Sequence, residues 1–365
     1  MLYSLIMGSL QEKIGQMFMI GVKGDALSRD EQLIIEEYGF GGFVLFSHNC
    51  CEPAQILSLC RSLWATGIEQ PPFIAIDQEG GRVQRLPPPF THFPPAALIG
   101  RKKNLNLAYR AGKATAAELG LVGINLNFAP VLDVNSNPQN PIIGDRAFAA
   151  DPASVIEFSQ KWIQGLRDGG IIPCGKHFPG HGDTDKDSHL DLPVVDKSLD
   201  ELRLIELPPF VCACRNQIEA LMTAHILYRS LDSKFPVTLS HSIITGLLRQ
   251  QLGYNGVVFS DDMEMKAITN NYGIDEAVRL GVRTGIDVLL YCHELPRAIE
   301  TFDSLCGEAE SDSAVRDQVE NSYRRITELK RRYFRGFTGV AEEKLVARLA
   351  KLDHQAIVDE IQGNL

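Results

Sequence analysis

The stretch IIPCGKHF, residues 171–178, is apolar almost throughout until it ends on Lys176 and His177, and its reading organises the whole chain. A strand that is apolar on both faces must be covered on both faces, which is the condition of a parallel strand between layers of helix. Seven further runs share this character: 15–24 (GQMFMIGVKG), 41–49 (GGFVLFSHN), 72–79 (PFIAIDQE), 124–134 (INLNFAPVLDV), 218–227 (IEALMTAHIL), 256–262 (GVVFSDD) and 285–292 (GIDVLLYC). Helix signals fill the intervals. Glu52-Pro53 precedes 54–66, Asp151-Pro152 precedes 153–168, Ser198-x-x-Glu201 reads as a capping box, and Ser240 precedes 241–252. Eight such strands alternating with helices predict an α/β fold, a single-domain (β/α)8 barrel, with a doubly wound open sheet as the alternative.

Outward from the strands, no Gly/Ser/Pro linker, internal repeat or low-complexity tract divides the chain, so residues 1–365 read as one domain. The charged segment 312–362 has helical spacing and reads as C-terminal helices packed on the barrel or extending from it. Its run Lys330-Arg331-Arg332 is expected to be a solvated helix end near the negative dipole terminus. Pro87-Pro88-Pro89 reads as a stiffener of a loop.

Composition removes several function classes. With 36 basic and 46 acidic residues the formal charge is −10, which argues against nucleic acid as a partner because phosphate neutralisation needs a basic footprint. No apolar run approaches the roughly 20 residues of a membrane span. The opening MLYSLIMGSL lacks the basic start and cleavage site of a secretory signal, so the expected location is cytoplasmic. Eight cysteines, at 50, 51, 60, 174, 212, 214, 292 and 306, mostly sit in apolar segments and read as reduced core thiols.

In a barrel of this type reactive groups lie at the C-terminal ends of the strands. The unusual polar residues fall there: Asp77, Glu79, Gly80-Gly81, Arg82 and Arg85 after the third run, Asp133 and Asp145-Arg146 after the fourth, Lys176-His177 after the fifth, His225 after the sixth, and Asp261-Asp262 after the seventh. Each has a structural reading by itself, as a helix cap or a turn. Together they point to a site. The densest piece is GKHFPGHGDTDKDSHLDLP, 175–193, with three histidines and four aspartates. Two chemistries fit it: a metal site using His177, His181 and an aspartate, or acid/base machinery in which Asp187 orients His189.

The segments IDQEGGRVQR (76–85), Pro141–Phe148 with GDRAF, KHFPGHGDTDKDSH (176–189), MTAHILY (222–228) and FSDDM (259–263) make the chain resemble a family three glycoside hydrolase, in particular the bacterial β-N-acetylhexosaminidases of cell-wall recycling. The resemblance runs in order from about residue 15 to 295, and departs at Met263, where leucine is usual. It implies a (β/α)8 barrel, in agreement with the runs counted above. Many such proteins carry a second domain that supplies an acid catalyst, and this chain is expected to lack it.

By resemblance, Asp261 is the nucleophile, His189 the general acid/base and Asp187 its partner, while Asp77, Arg85, Arg146, Lys176 and His177 hold the sugar hydroxyls and the acetamido region. Strand alternation alone leaves Asp262 open as nucleophile, and adjacent acids also suit a route in which the substrate's own acetamide attacks. His225 reads either as a ligand contact or as a buried, satisfied strand-end histidine, and His181 as a shaper of the loop. The activity implied is that of a retaining exo-β-N-acetylglucosaminidase acting on a small carbohydrate or muropeptide, with no cofactor and no metal. A metal-dependent hydrolase and a catalytically silent sugar-binding protein are the other readings.

Overall fold

The computed structural model describes residues 8–67, 70–184 and 191–363. Eight parallel strands close into a barrel in the order of the chain: β1 (Phe18–Gly21), β2 (Gly42–Leu45), β3 (Phe73–Ile76), β4 (Leu126–Asn127), β5 (Ile172–Phe178), β6 (Ala220–Thr223), β7 (Val257–Asp262) and β8 (Val288–Tyr291). All eight lie inside the runs read from the sequence. Pairing of Phe18 with Leu289 closes the sheet between β1 and β8, which excludes the open doubly wound alternative. The strands are short and buried on both faces, so their apolar runs are continuous.

The helices begin where the local signals place them. Pro53 and Pro152 open α1 (Pro53–Ala65) and α2 (Pro152–Asp168), and the Asp151 side chain accepts from the backbone N–H of Ser154 at 2.8 Å. The Ser198 capping box is present with both of its reciprocal bonds. After Ser240 the segment Ser242–Gln251 is wound as a π-helix, and Ser240 Oγ accepts from Ile243 N at 3.3 Å. Inside the barrel, Phe259 packs edge-on against Phe73 and Phe128 at 5.9 and 5.8 Å between ring centres.

The C-terminal helices pack on the barrel. Helix α3 (Ser313–Tyr333) crosses the N-terminal ends of the strands, and α4 (Glu342–Leu349) and α5 (Gln355–Gln362) bury Leu345 and Ile361 against its flank. The run Lys330-Arg331-Arg332 is not solvated throughout, contrary to what its charge pattern suggests. Lys330 is not solvated: it is 1% exposed, donates to Gln16 Oε1 at 2.6 Å and to the Gly41 carbonyl at 2.8 Å, and stands over the Phe73 ring at 4.7 Å. It plugs the bottom of the barrel where carbonyls ahead of β1 and β2 need a donor, while Arg331 and Arg332 remain exposed. Burial without a counter-charge pushes the Lys330 ammonium down to about 7.

Six of the eight cysteines are buried, Cys212 is half-buried and Cys51 is exposed. Among the described residues no helix is long and apolar enough to cross a membrane.

Candidate active site

The C-terminal ends of the strands surround a cleft of about 240 Å³. Of the eight residues to which the resemblance gives a site role, six line it, Asp77, Arg85, Arg146, Lys176, His177 and Asp261, together with Glu79, His181 and Asp262. The other two, Asp187 and His189, lie outside the described residues. His225 does not line the cleft. It is buried, with Nδ1 2.8 Å from Thr238 Oγ1 and Nε2 3.0 Å from the Asp262 carbonyl, so it supports the end of β7 from behind.

The cleft residues lie at strand ends or on the loops that follow them. Asp77 directly follows β3. Beyond it Gly80, at φ +95°, turns the chain so that Gly80 pairs with Val83; a Cβ there would meet the Pro94 carbonyl oxygen at 2.8 Å. Gln78 fixes the returning strand, its Oε1 accepting from the N–H groups of Arg85 and Leu86 at 3.0 and 3.3 Å. Arg85 therefore stands beside Asp77, with Nη2 3.6 Å from Oδ2. Its Nε is shielded from solvent and has no hydrogen-bond partner among the described residues. The loop carrying Arg146 is fixed by Asn140, which accepts from the N–H groups of Ile142 and Ile143 at 2.8 Å, and by Arg82, which bonds Asp145 at 3.1 Å.

The charges in the cleft form one network. Lys176 Nζ lies 2.6 Å from Asp77 and 2.6 Å from Glu79, and Arg146 binds both oxygens of Glu79 at 2.8 Å. Burial by itself would raise the Glu79 carboxyl, but the Arg146 and Lys176 cations outweigh it and hold the group well below the usual carboxylate range. Burial works against the Lys176 ammonium as well, and Asp77 and Glu79 more than restore it. The cleft thus keeps fixed positive and negative groups side by side, which suits hydroxyl groups that both donate and accept.

A second network sits below. Asp133, fully buried, accepts from the His177 and His181 backbone N–H groups at 3.2 and 2.7 Å and faces His177 Nδ1 at 2.7 Å. Burial opposes the charge of its carboxyl, but the two histidines lower its pKa overall. A carboxylate on Nδ1 directs the Nε2 side of His177 toward the cleft. His181 is held through Nδ1 by Thr184 Oγ1 at 2.8 Å, and burial, with His177 beside it, pushes its pKa down to about 4, so the ring is neutral at ordinary pH. This agrees with His181 as a shaper of the loop. Among the described residues no three His, Cys, Asp or Glu side chains are grouped to hold a metal ion.

At the end of β7 both acids reach the cleft. Asp261 Oδ1 accepts from the Asp262 N–H at 2.9 Å. Asp262 is tied across to the end of β8, its Oδ1 accepting from Cys292 N at 3.4 Å and its Oδ2 lying 3.5 Å from His293 Nε2. Burial, followed by the nearby Glu264 and Asp261 charges, pushes its carboxyl up to about 7. Glu79 and Asp133 are strand-end residues to which the sequence pattern assigns no role. Period-two alternation puts Glu79 on the same face as Asp77, which was a signal for the first. Asp133 offered none, since its partners lie 44 and 48 residues away.

The model of the glycosyl hydrolase family 3 N-terminal domain matches residues 9–329. The chain belongs to this family. It is a glycoside hydrolase, and its barrel is the family 3 barrel. Among relatives, a β-hexosaminidase of Thiobacillus denitrificans is 38% identical over 293 residues, 79% of this chain and 81% of its own. A family 3 β-N-acetylglucosaminidase from Paenibacillus sp. str. FPU-7 superposes with a TM-score of 0.87 at 37% identity, covering 95% of this chain and 69% of that one. NagZ from Neisseria gonorrhoeae, solved in complex with N-trifluoroacetyl-D-glucosamine, superposes at 0.80 with 30% identity, covering 95% and 97%. The family 3 match spans Asp77, Arg85, Arg146, Lys176, His177 and Asp261 as well as Asp187 and His189.

Proposed function

We propose that this family 3 hydrolase is a retaining exo-β-N-acetylglucosaminidase that removes terminal β-linked N-acetylglucosamine from peptidoglycan fragments in the cytoplasm, without a cofactor, and that residues 1–365 act as one domain. The observation that carries this reading is the convergence, in one cleft, of the Asp77, Glu79, Arg85, Arg146 and Lys176 network with Asp261 and the Asp133-oriented His177. The β-hexosaminidase relatives and the N-acylglucosamine bound to NagZ support the choice of sugar.

In this mechanism Asp77 accepts from sugar hydroxyls, while Arg85, Arg146, Lys176 and His177 donate to sugar oxygens. Asp261, ionised, attacks the anomeric carbon as the glycosidic bond breaks, giving a glycosyl ester. His189 gives its proton to the leaving oxygen and then, neutral, takes one from the water that cleaves the ester, with Asp187 orienting its ring. Asp262 is poorly suited to be the nucleophile, since burial and neighbouring acids favour its protonated form. Trapping with a slow fluorinated N-acetylglucosaminide tests the assignment. A glycosyl adduct on Asp261, absent in Asp261→Asn, is expected. An adduct elsewhere would overturn it, and release of an oxazoline without any adduct would point to attack by the acetamide.

A further inference from the structure

The Glu118 carboxylate does not line the cleft, yet it stands between the C-terminal helix α5 and the loop that follows Arg85. It lies on the helix Leu105–Leu121, with 5% of its side chain exposed. We propose that Glu118 and His354 are positioning residues for Arg85: through Thr91 they fix the backbone of residues 79–95, and so set where the Arg85 guanidinium meets the sugar. The proposal rests on the reading of Arg85 as a donor to sugar oxygens.

Arg85 needs such support. Arg146 is locked by two bonds of 2.8 Å to Glu79, whereas Arg85 has Asp77 only at 3.6 Å and an Nε without a hydrogen-bond partner among the described residues. Its side chain is therefore directed chiefly by its own backbone and by the Phe46 ring, 5.8 Å away. A shift of that backbone moves the guanidinium with it.

From Arg85 the chain reaches Glu118 in short, stiff steps. Pro87, Pro88 and Pro89 join Leu86 to Phe90, and their fixed φ angles leave this link little freedom. Thr91 follows, donating to Glu118 from its N–H at 2.9 Å and from its hydroxyl at 2.5 Å. The next two residues hold the turn ahead of Arg85: the Phe93 carbonyl accepts from Gly81 N at 2.8 Å, and His92 Nε2 lies 2.9 Å from the Gly81 carbonyl oxygen. Gly81 has φ +58°, and a Cβ there would meet Pro95 Cβ at 2.7 Å, so turn and loop are in direct contact. The segment bearing Arg85 is thus tied to Thr91 from both sides.

His354, the residue before α5, completes the anchor. Its Nδ1 lies 2.9 Å from Glu118 Oε1, and its ring 6.5 Å from that of Phe93. A carboxylate withdrawn from water needs donors for its oxygens. Thr91 supplies two and His354 the third, so without His354 the carboxylate is drawn toward water and takes Thr91 with it. Helix α5 has other attachments: Ile357, Val358 and Ile361 are buried, and Arg110 pairs with Glu360 at 2.6 Å. The family 3 match ends at residue 329, so His354 brings to the loop a contact from outside the matched domain.

The experiment measures kcat and KM separately on methylumbelliferyl β-N-acetylglucosaminide. His354→Ala should raise KM about tenfold and change kcat by less than about twofold, because a displaced binding group weakens ground state and transition state alike. Glu118→Gln, which keeps the volume and removes the charge, should do the same and keeps the test independent of the first variant's folding. Arg110→Ala cuts the other polar tie of α5 without touching Thr91 and should leave KM unchanged. In an Arg85→Ala background His354→Ala should raise KM by less than about a further twofold, since both act through one group. An unchanged KM in either His354→Ala or Glu118→Gln, with only a lower melting temperature, would overturn the proposal. So would an equal rise in Arg110→Ala, or a further rise of about tenfold in the double variant. Arg85→Ala with an unaltered KM would instead refute the reading of Arg85 on which the proposal rests.

Discussion

Replacing Glu79 by Gln removes the charge that two cations share while keeping the side-chain volume. The carboxylate takes both prongs of Arg146 at 2.8 Å and Lys176 at 2.6 Å, with 6% of its side chain exposed. Removing one partner of a buried ion pair costs about 3–5 kcal/mol, because the charge left behind keeps its desolvation penalty. Lys176 retains Asp77 at 2.6 Å, so the lower end applies, about 3 kcal/mol. The pH dependence has a definite sign. A carboxyl held below its ordinary value of 4.5 stabilises the fold fully above that pH, and the contribution is lost as pH falls toward the folded value. The difference in unfolding free energy between native protein and Glu79→Gln should therefore be about 3 kcal/mol near pH 7 and shrink by about 1.4 kcal/mol per unit below 4.5. Guanidinium unfolding at about pH 7 and about pH 3.5 measures both. A penalty under about 1 kcal/mol at neutral pH, or one that is the same at both, would refute the argument. The variant should also lose kcat/KM, since Arg146 and Lys176 are no longer fixed by a common anion.

Three other outcomes are expected. His189→Ala should slow the first step by roughly 10²- to 10⁴-fold on a poor leaving group and much less on a nitrophenyl one, with Asp187→Asn following the same pattern. Uniform losses across leaving groups, with a lower melting temperature, would assign the pair a purely structural role. Activity should survive prolonged EDTA treatment; a stoichiometric metal whose removal abolishes activity and whose return restores it would replace the mechanism. For Lys330, the folded ammonium titrates near 7 and the unfolded one near 10.5, so native stability should rise with pH across that window as folding ceases to require a proton to be released. Lys330→Met should lack that rise, and parallel stability curves for the two proteins from pH 7 to 10 would contradict the burial described.

The barrel was written in the sequence because each strand is a local, continuous apolar run, and covering both faces of a strand leaves no other residue pattern. The same locality carried the strand-end residues Asp77, Lys176, His177 and Asp261 to one rim, since chain position at a strand terminus translates directly into place at the barrel mouth. Tertiary structure alone decided which of those groups touch. Glu79 meets Arg146 across 67 residues, and Asp133 meets His177 across 44, because barrel closure brings the loops after separate strands over one opening. Closure also turned Lys330 inward. Its helix carries it beneath β1 and β2, where buried carbonyls need a donor, and a charged run cannot announce that need. His225 went the other way, from candidate ligand contact to a support behind Asp262, because the inward or outward sense of a residue just beyond a strand depends on register, which only the paired neighbours fix.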